Sequence, residues 1–169
     1  TRGCAGDADV TAQTAQSIGR DTGGVLSLIS GSTGVTLSVP TDFSASDLHF
    51  QIKHLDKQPA LDALGTPSSY RTVGNYVYDL RALSDVQTLV SVFDAPLTIS
   101  MNYSSSDISG IDESSLRIFR NDGAGWVLLP DCSVNRSARS VTCTTTHFST
   151  FNIFGTEAQS SPEPEPAPQ

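Results

Sequence analysis

The chain has 169 residues, enough for one domain with a substantial core but too few for two full domains. Its net charge is −8, and Lys53 and Lys57 are its only lysines. An acidic chain without a basic cluster repels phosphate groups, which argues against nucleic acid and anionic membranes as partners. Its apolar runs are far shorter than the roughly 20 residues that span a bilayer, so we expect no membrane insertion.

The N-terminal residues 1–21 are small and polar, with Val10 and Ile18 as their only large aliphatic side chains. Such a segment has too little apolar surface to fold alone, which predicts a flexible arm. Residues 8–20, rich in Thr, Ala and Gln, also have the composition of a donor strand that adds to the sheet edge of a neighbouring subunit. A disordered leader remnant remains the alternative. At the other end, residues 156–169 alternate Pro with Glu, which predicts an extended linker or tail.

Residues 22–155 alternate polar and apolar positions with a period of two, and turn residues separate the runs. Strands are predicted, in chain order, at GGVLSLIS, GVTLSVP, DLHFQIKHL, NYVYDLRAL, TLVSVF, PLTISMNY, SLRIFR, GWVLLP, SVTCTTTHF and STFNIFG, with one helical turn at DKQPALDAL. Trp126, in the second arm of the hairpin around Asn121-Asp122-Gly123, is expected to be a core residue. So many short strands predict an all-β fold, a single antiparallel β-sandwich of jelly-roll or immunoglobulin-like type.

Two of the three cysteines, Cys132 and Cys143, flank the polar turn SVNRSARSVT. This spacing places them on the two arms of a hairpin, where a disulfide forms easily and stabilises the fold by about 3 kcal/mol. Such a bond requires an oxidising compartment. A zinc site would need four ligands, and His147 is the only other candidate nearby, so we expect a disulfide and no metal or other cofactor. Cys4 is then a free or intermolecularly paired thiol.

The order of several motifs resembles the ZU-five-type domain shared by zonula occludens proteins, netrin receptors and ankyrins. The motifs are GGVLSLISGSTGVTLSVP, FDAPLTISMNY with its Phe-x-x-Pro strand, the hairpin that carries Trp126, and the closing THFSTFNIF. Exported bacterial relatives of this module end in a similar His-Phe-Ser-x-Phe strand. The resemblance covers residues 22–154, although 55–75 match nothing in the family. It implies a β-sandwich that serves as an interaction or scaffolding module and not as an enzyme acting on small molecules.

The resemblance also raises the question of self-cleavage, because some members of that family cut themselves at His-Phe-Ser. Carried over to this chain, Ser149 would attack the carbonyl of Phe148, His147 would act as general base, and water would resolve the ester. The reaction requires backbone strain that holds the hydroxyl against its own preceding carbonyl. In the simpler interpretation, which we favour, Phe148 and Phe151 anchor a closing strand and Ser149 makes a local hydrogen bond.

Other residues give weaker signals. His49 and His54 are five apart in a predicted strand, so they point to opposite faces and cannot share a metal. The sequence lacks the nucleophile-elbow motif of serine hydrolases. Asn102 and Asn135 begin N-glycosylation patterns, so glycosylation is a further expectation.

These features, together with a charged-residue content of only 17%, predict a secreted or cell-surface protein. We expect a non-catalytic structural or interaction module, in a sharper form a subunit of an extracellular filament or pilus-like fibre assembled by strand addition. Its partners would be other protein subunits or further copies of itself. The alternatives are a self-cleaving module and a carbohydrate-binding or adhesin domain, which would need a row of exposed aromatic side chains.

Overall fold

The computed structural model describes residues 10–30, 33–56, 65–67, 69–74, 77–121 and 125–158. They form twelve strands: β1 (Val10–Ile18), β2 (Gly24–Ser30), β3 (Thr33–Val39), β4 (Leu48–Leu55), β5 (Arg71–Thr72), β6 (Tyr78–Leu83), β7 (Val92–Asn102), β8 (Arg117–Asn121), β9 (Trp126–Leu128), β10 (Ser133–Asn135), β11 (Ser140–His147) and β12 (Thr150–Gly155). Two short 3-10 helices cover Ser105–Ile108 and Glu113–Ser115. Residues 57–64 of the predicted helical turn, residues 1–9 of the predicted arm and residues 159–169 of the predicted tail lie outside the described residues.

Two antiparallel sheets pack face to face, which confirms the predicted β-sandwich. The first sheet has the order β1-β4-β6-β12-β8-β9, and β5 also pairs with β12; the second has the order β10-β11-β7-β3-β2. In the first sheet β1 starts and β12 finishes at the same end: Val10 pairs with Leu55, and β12 runs past Tyr78 until Gly155 pairs with Arg71.

The core lies between the sheets and follows from the period-two pattern. Alternate residues are buried along β3, in the first part of β4 and in the second half of β7, namely Val35, Leu37, Val39, Leu48, Phe50, Ile52, Leu97, Ile99 and Met101. The Phe50 ring contacts those of Phe43, Phe93 and Phe148, with centroids 5.4, 6.1 and 5.7 Å away. Each buried side chain of this size contributes about 1.5–3 kcal/mol to stability, so this alternation is what holds the two sheets together.

Residues 10–18 form an edge strand, so the prediction of a flexible arm is wrong for this segment. β1 pairs with β4 along its length, with Ile18 opposite Leu48. Only Ile18 is buried among the β1 side chains that are described. An edge strand can be held by main-chain hydrogen bonds to a single neighbour, which do not require the apolar surface on which the prediction relied.

Strand β7 is one strand where the sequence predicted two. Pro96 lies inside it, at a point where the pairing is irregular: β3 pairs with β7 only up to Thr98, and the register with β11 shifts between Thr145 and His147. The backbone N–H of Asp94 instead donates to the carbonyl of Phe43 at 2.8 Å. A proline is tolerated in a strand at such an irregularity because the missing N–H has no ladder partner there.

A second apolar layer covers the outer face of the first sheet. Phe119 and Phe154 are buried and meet edge-on with centroids 5.4 Å apart. Tyr70 packs on Phe119 and Trp126 on Phe154, both at 4.9 Å. The Trp126 indole donates a hydrogen bond of 2.9 Å to the carbonyl of Gly65. The prediction of Trp126 as a core residue is therefore wrong: its side chain is half-buried and fastens Gly65 to the outside of the sandwich.

Candidate functional site

The His-Phe-Ser motif lies where the chain crosses from the second sheet to the first. His147 ends β11 opposite Val92, and Thr150 begins β12. Phe148, between them, is buried and packs edge-on against Phe93 with centroids 4.6 Å apart. The motif thus carries the crossover between the sheets, with its phenylalanine anchored in the core.

The hydroxyl of Ser149 is engaged by a neighbouring strand. Its Oγ donates a hydrogen bond to the carbonyl of Asn121, at the end of β8. The carbonyl of Ser149 accepts from the N–H of Leu80 at 3.0 Å, and the N–H of Phe148 donates to the carbonyl of Ser91 at 2.9 Å. This network directs the hydroxyl to β8 and fixes the backbone on both sides of the Phe148–Ser149 bond.

His147 and Ser149 face different parts of the surface. The exposed imidazole of His147 has its Nδ1 3.2 Å from the Thr146 hydroxyl and lines a depression with Pro96 and Arg120. Ser149 lines another depression, with Asp79 and Arg81. The described non-glycine residues with left-handed backbone lie elsewhere, at Asp42, Ser69, Gln87, Asp131 and Arg139. The site therefore lacks the paired base and the left-handed strain that self-cleavage would use.

Cys132 and Cys143 form a disulfide with their Cα atoms 4.0 Å apart. This is the pairing that the hairpin spacing predicts, with Cys132 just before β10 and Cys143 in β11. Cys143 is fully buried and lies opposite Ile99 of β7. The bond thus ties the short edge strand β10 to a strand whose side chains belong to the core.

The two histidines of β4 have different neighbours. His54 stacks on Tyr78 with ring centroids 4.8 Å apart, whereas His49 contacts Ser17 and Asp85 on the outer face of the sheet. Within the described ranges, His, Cys, Asp and Glu side chains form no group of three or more that could hold a metal ion.

Three elements are joined by a series of hydrogen bonds between a Ser, a His and an Asp side chain, which the sequence did not reveal. The Ser17 hydroxyl is 2.6 Å from Nδ1 of His49, and Nε2 of the same ring is 2.8 Å from a carboxylate oxygen of Asp85. Serine hydrolases use these groups in a water-excluded pocket with donors for the oxyanion. Here the His49 and Asp85 side chains are 41% and 83% exposed, so these hydrogen bonds serve to tie β1 to β4 and to the turn after β6.

Both glycosylation patterns lie in one row of the second sheet. Ser140 of β11 pairs with Asn102 on one side and with Asn135 on the other. Asn135 is exposed and its Oδ1 accepts a hydrogen bond of 3.0 Å from the N–H of Ala138. The two asparagines would therefore present any attached groups from the same end of the sandwich.

No model of a known protein family and no curated protein sequence matches this chain. The resemblance to ZU-five-type domains therefore stays a prediction. In the described part of the chain, helices long and apolar enough to cross a bilayer are not found.

Proposed function

We propose that this chain is a non-catalytic structural module of an extracellular or cell-surface assembly, and that copies of it join by exchanging strand β1. The observation that carries the proposal is how β1 is held. Its main chain pairs with β4 from Val10 to Ile18, with one register shift between Val10 and Ala12, yet none of the side chains of residues 12–17 is buried. Ile18 is its one described core anchor.

A strand held in this way can be replaced by the same strand of a neighbour. The main-chain hydrogen bonds, the Ile18 contact and the Ser17–His49 hydrogen bond would be the same in both arrangements, so exchange changes the free energy little. The connection from β1 to β2 is a turn at residues 19–23, in which the N–H of Gly23 donates to the carbonyl of Gly19 at 2.9 Å. Opening this turn would release β1 without disturbing the core strands.

The Cys132–Cys143 disulfide supports the extracellular location, because such bonds persist in oxidising compartments. The aromatic side chains support a structural role over carbohydrate binding. Tyr78 and Tyr103 are buried, and Tyr70 and Trp126 pack against the phenylalanines of the outer layer. Within the described ranges these side chains therefore do not form a row open to a sugar.

The proposal is tested by locking β1 to its own subunit. Ser17 and His49 lie opposite each other, so Ser17→Cys combined with His49→Cys should form a disulfide between β1 and β4. We expect the oxidised variant to form no assembly that depends on exchange of β1, and so nothing larger than a dimer by light scattering and electron microscopy, while wild type forms larger assemblies. A matched control, Thr142→Cys with Ser100→Cys, locks β11 to β7 and should assemble like wild type. Assembly of the locked β1 variant at the wild-type level would refute strand exchange.

A further inference from the structure

The two flanks of the sandwich protect their strand edges differently. On one flank, the edge strands β9 and β10 have three residues each, and the disulfide fastens β10. On the other flank, β1 has nine residues and β2 has seven, and neither contains a proline or a charged residue. Soluble proteins usually shield open edges with short strands, charges or proline. The β1/β2 flank has none of these protections, although the whole chain carries a net charge of −8.

Strand β2 shows apolar side chains to the solvent on its outer face. Val25 and Ile29 are 56% and 54% exposed and flank Ser27, while among the strands that the structure describes only β3 pairs with β2. On the inner face Leu26 is buried, but Leu28 is only partly buried at the margin of the core. The strand is thus apolar on both faces and has one side of its backbone open.

We propose that β2 pairs with the β2 strand of a second copy of this chain, antiparallel and centred on Ser27, so that the two second sheets become one continuous sheet. The order of side chains in β2 is self-complementary in this register. Val25 lies opposite the partner's Ile29, Leu26 opposite the partner's Leu28, and Ser27 opposite the partner's Ser27. Two apolar cross-strand pairs form on each face, and the inner ones bury Leu28.

The register follows from the strand itself. A two-fold axis through Ser27 uses all seven residues of β2, whereas an axis through Leu26 or Leu28 leaves part of the strand without a partner and places Ser27 opposite a large aliphatic residue. Charge repulsion within the contact is absent because β2 carries no charge. The contact involves a different strand from the exchange of β1, so either can fail without the other.

The first test compares association of charged variants. We expect the parent protein, in which exchange of β1 is blocked, to sediment with twice the 17.9 kDa mass of one chain, and Val25→Lys and Ile29→Lys in the same background each to lose the dimer. Val127→Lys places the same charge on β9, at a position 47% exposed, and should keep the dimer. Circular dichroism verifies that each variant is folded. These measurements use the Ser17→Cys/His49→Cys background, which blocks exchange of β1. A monomeric parent at high protein concentration, or equal loss of the dimer in Val127→Lys, overturns the proposal.

The second test measures the register of the two β2 strands by disulfide cross-linking. In a Cys4→Ser background, Ser27→Cys should form a covalent dimer on mild oxidation, because opposite residues in an antiparallel pair have a Cα separation that suits a disulfide. Val25→Cys should cross-link far more slowly, since its neighbour is the partner's Ile29. Adding Ile29→Cys to Val25→Cys should restore the cross-link. Equal rates for the two single variants would contradict pairing centred on Ser27.

Discussion

Ser149 and Phe151 are two residues apart and contribute to stability in different ways. The Phe151 side chain is fully buried and faces Phe148, while Ser149 donates one hydrogen bond to the Asn121 carbonyl. We expect Phe151→Ala to lower the free energy of unfolding by about 3–5 kcal/mol, because it opens a cavity. Ser149→Ala should cost about 1 kcal/mol for one lost hydrogen bond. Denaturant titration of both variants checks this, and similar losses would show that the closing strand is not anchored by Phe151.

The same residues decide the question of self-cleavage. Because the Ser149 hydroxyl is bonded to β8 and His147 faces another part of the surface, we expect the peptide bond after Phe148 to remain intact. Wild type and Ser149→Ala should each give one band on a denaturing gel after long incubation at neutral pH. Two wild-type fragments, split before Ser149 and absent from the variant, would reverse this conclusion.

Two buried tyrosines make the free energy of unfolding depend on pH in the alkaline range. Burial raises the pKa of Tyr78, and burial together with the hydrogen bond to the Glu113 carboxylate raises the pKa of Tyr103. Both phenols ionise more readily once unfolded, so their contribution is complete below the unfolded pKa and is lost as the pH rises above about 10. We expect the free energy of unfolding to fall in that range, and less steeply in Tyr103→Phe. Phenolate absorbance that appears while the protein is still folded would contradict this.

At the scale of elements, the disulfide holds the hairpin β10–β11. We expect reduction to lower the melting temperature while leaving the circular dichroism at room temperature unchanged, because the bond mainly restricts the unfolded chain. Reduction should lower the free energy of unfolding by about 3 kcal/mol for a loop of this length. Cys4→Ser under oxidising conditions serves as the control and should melt like wild type. An unchanged melting temperature after complete reduction would show that the bond adds no stability.

Strands with two distinct faces could be predicted from the sequence, and the pairing of the edge strand β1 could not. The alternation of Leu48, Phe50 and Ile52 specifies β4 because burial of one face drives strand formation. β1 was expected to be a flexible arm or a donor strand for a neighbouring subunit, and its pairing with β4 of the same chain could not be predicted because main-chain pairing leaves almost no mark on the sequence. The hairpin containing Trp126 was predicted, but its face was not, because pairing with Asn121 places the indole on the outer side of the sheet.

Among the candidate sites, the one formed by residues close in sequence could be predicted, and the one formed by residues far apart in sequence could not. The Cys132–Cys143 pair is local, eleven residues apart, so spacing within one hairpin was sufficient to predict it. The chain from Ser17 through His49 to Asp85 spans 32 and then 36 residues. Only the register of β1 on β4 brings these side chains together, and this register could not be predicted without the pairing of β1 with β4.

For the whole molecule, the net charge opposes any contact between copies. Because β1 and β2 carry no charge, attraction there is apolar and main-chain in origin, whereas repulsion acts between entire molecules. Salt screens the repulsion and leaves the contact itself nearly unchanged. We therefore expect association to strengthen from low to physiological ionic strength, as measured by sedimentation. Weaker association in salt would indicate that ion pairs dominate the contact.

The position of Val10 and Gly155 at the same end of the first sheet determines how the fold responds to mechanical tension. A force applied between these two points acts across the strands, so it opens the β1–β4 ladder one hydrogen-bonded pair at a time. Strands that are pulled along their length share the force among many hydrogen bonds and resist it much better. Tension along the backbone would therefore peel β1 away at low force. An assembly of such modules would owe its tensile strength to lateral contacts between copies.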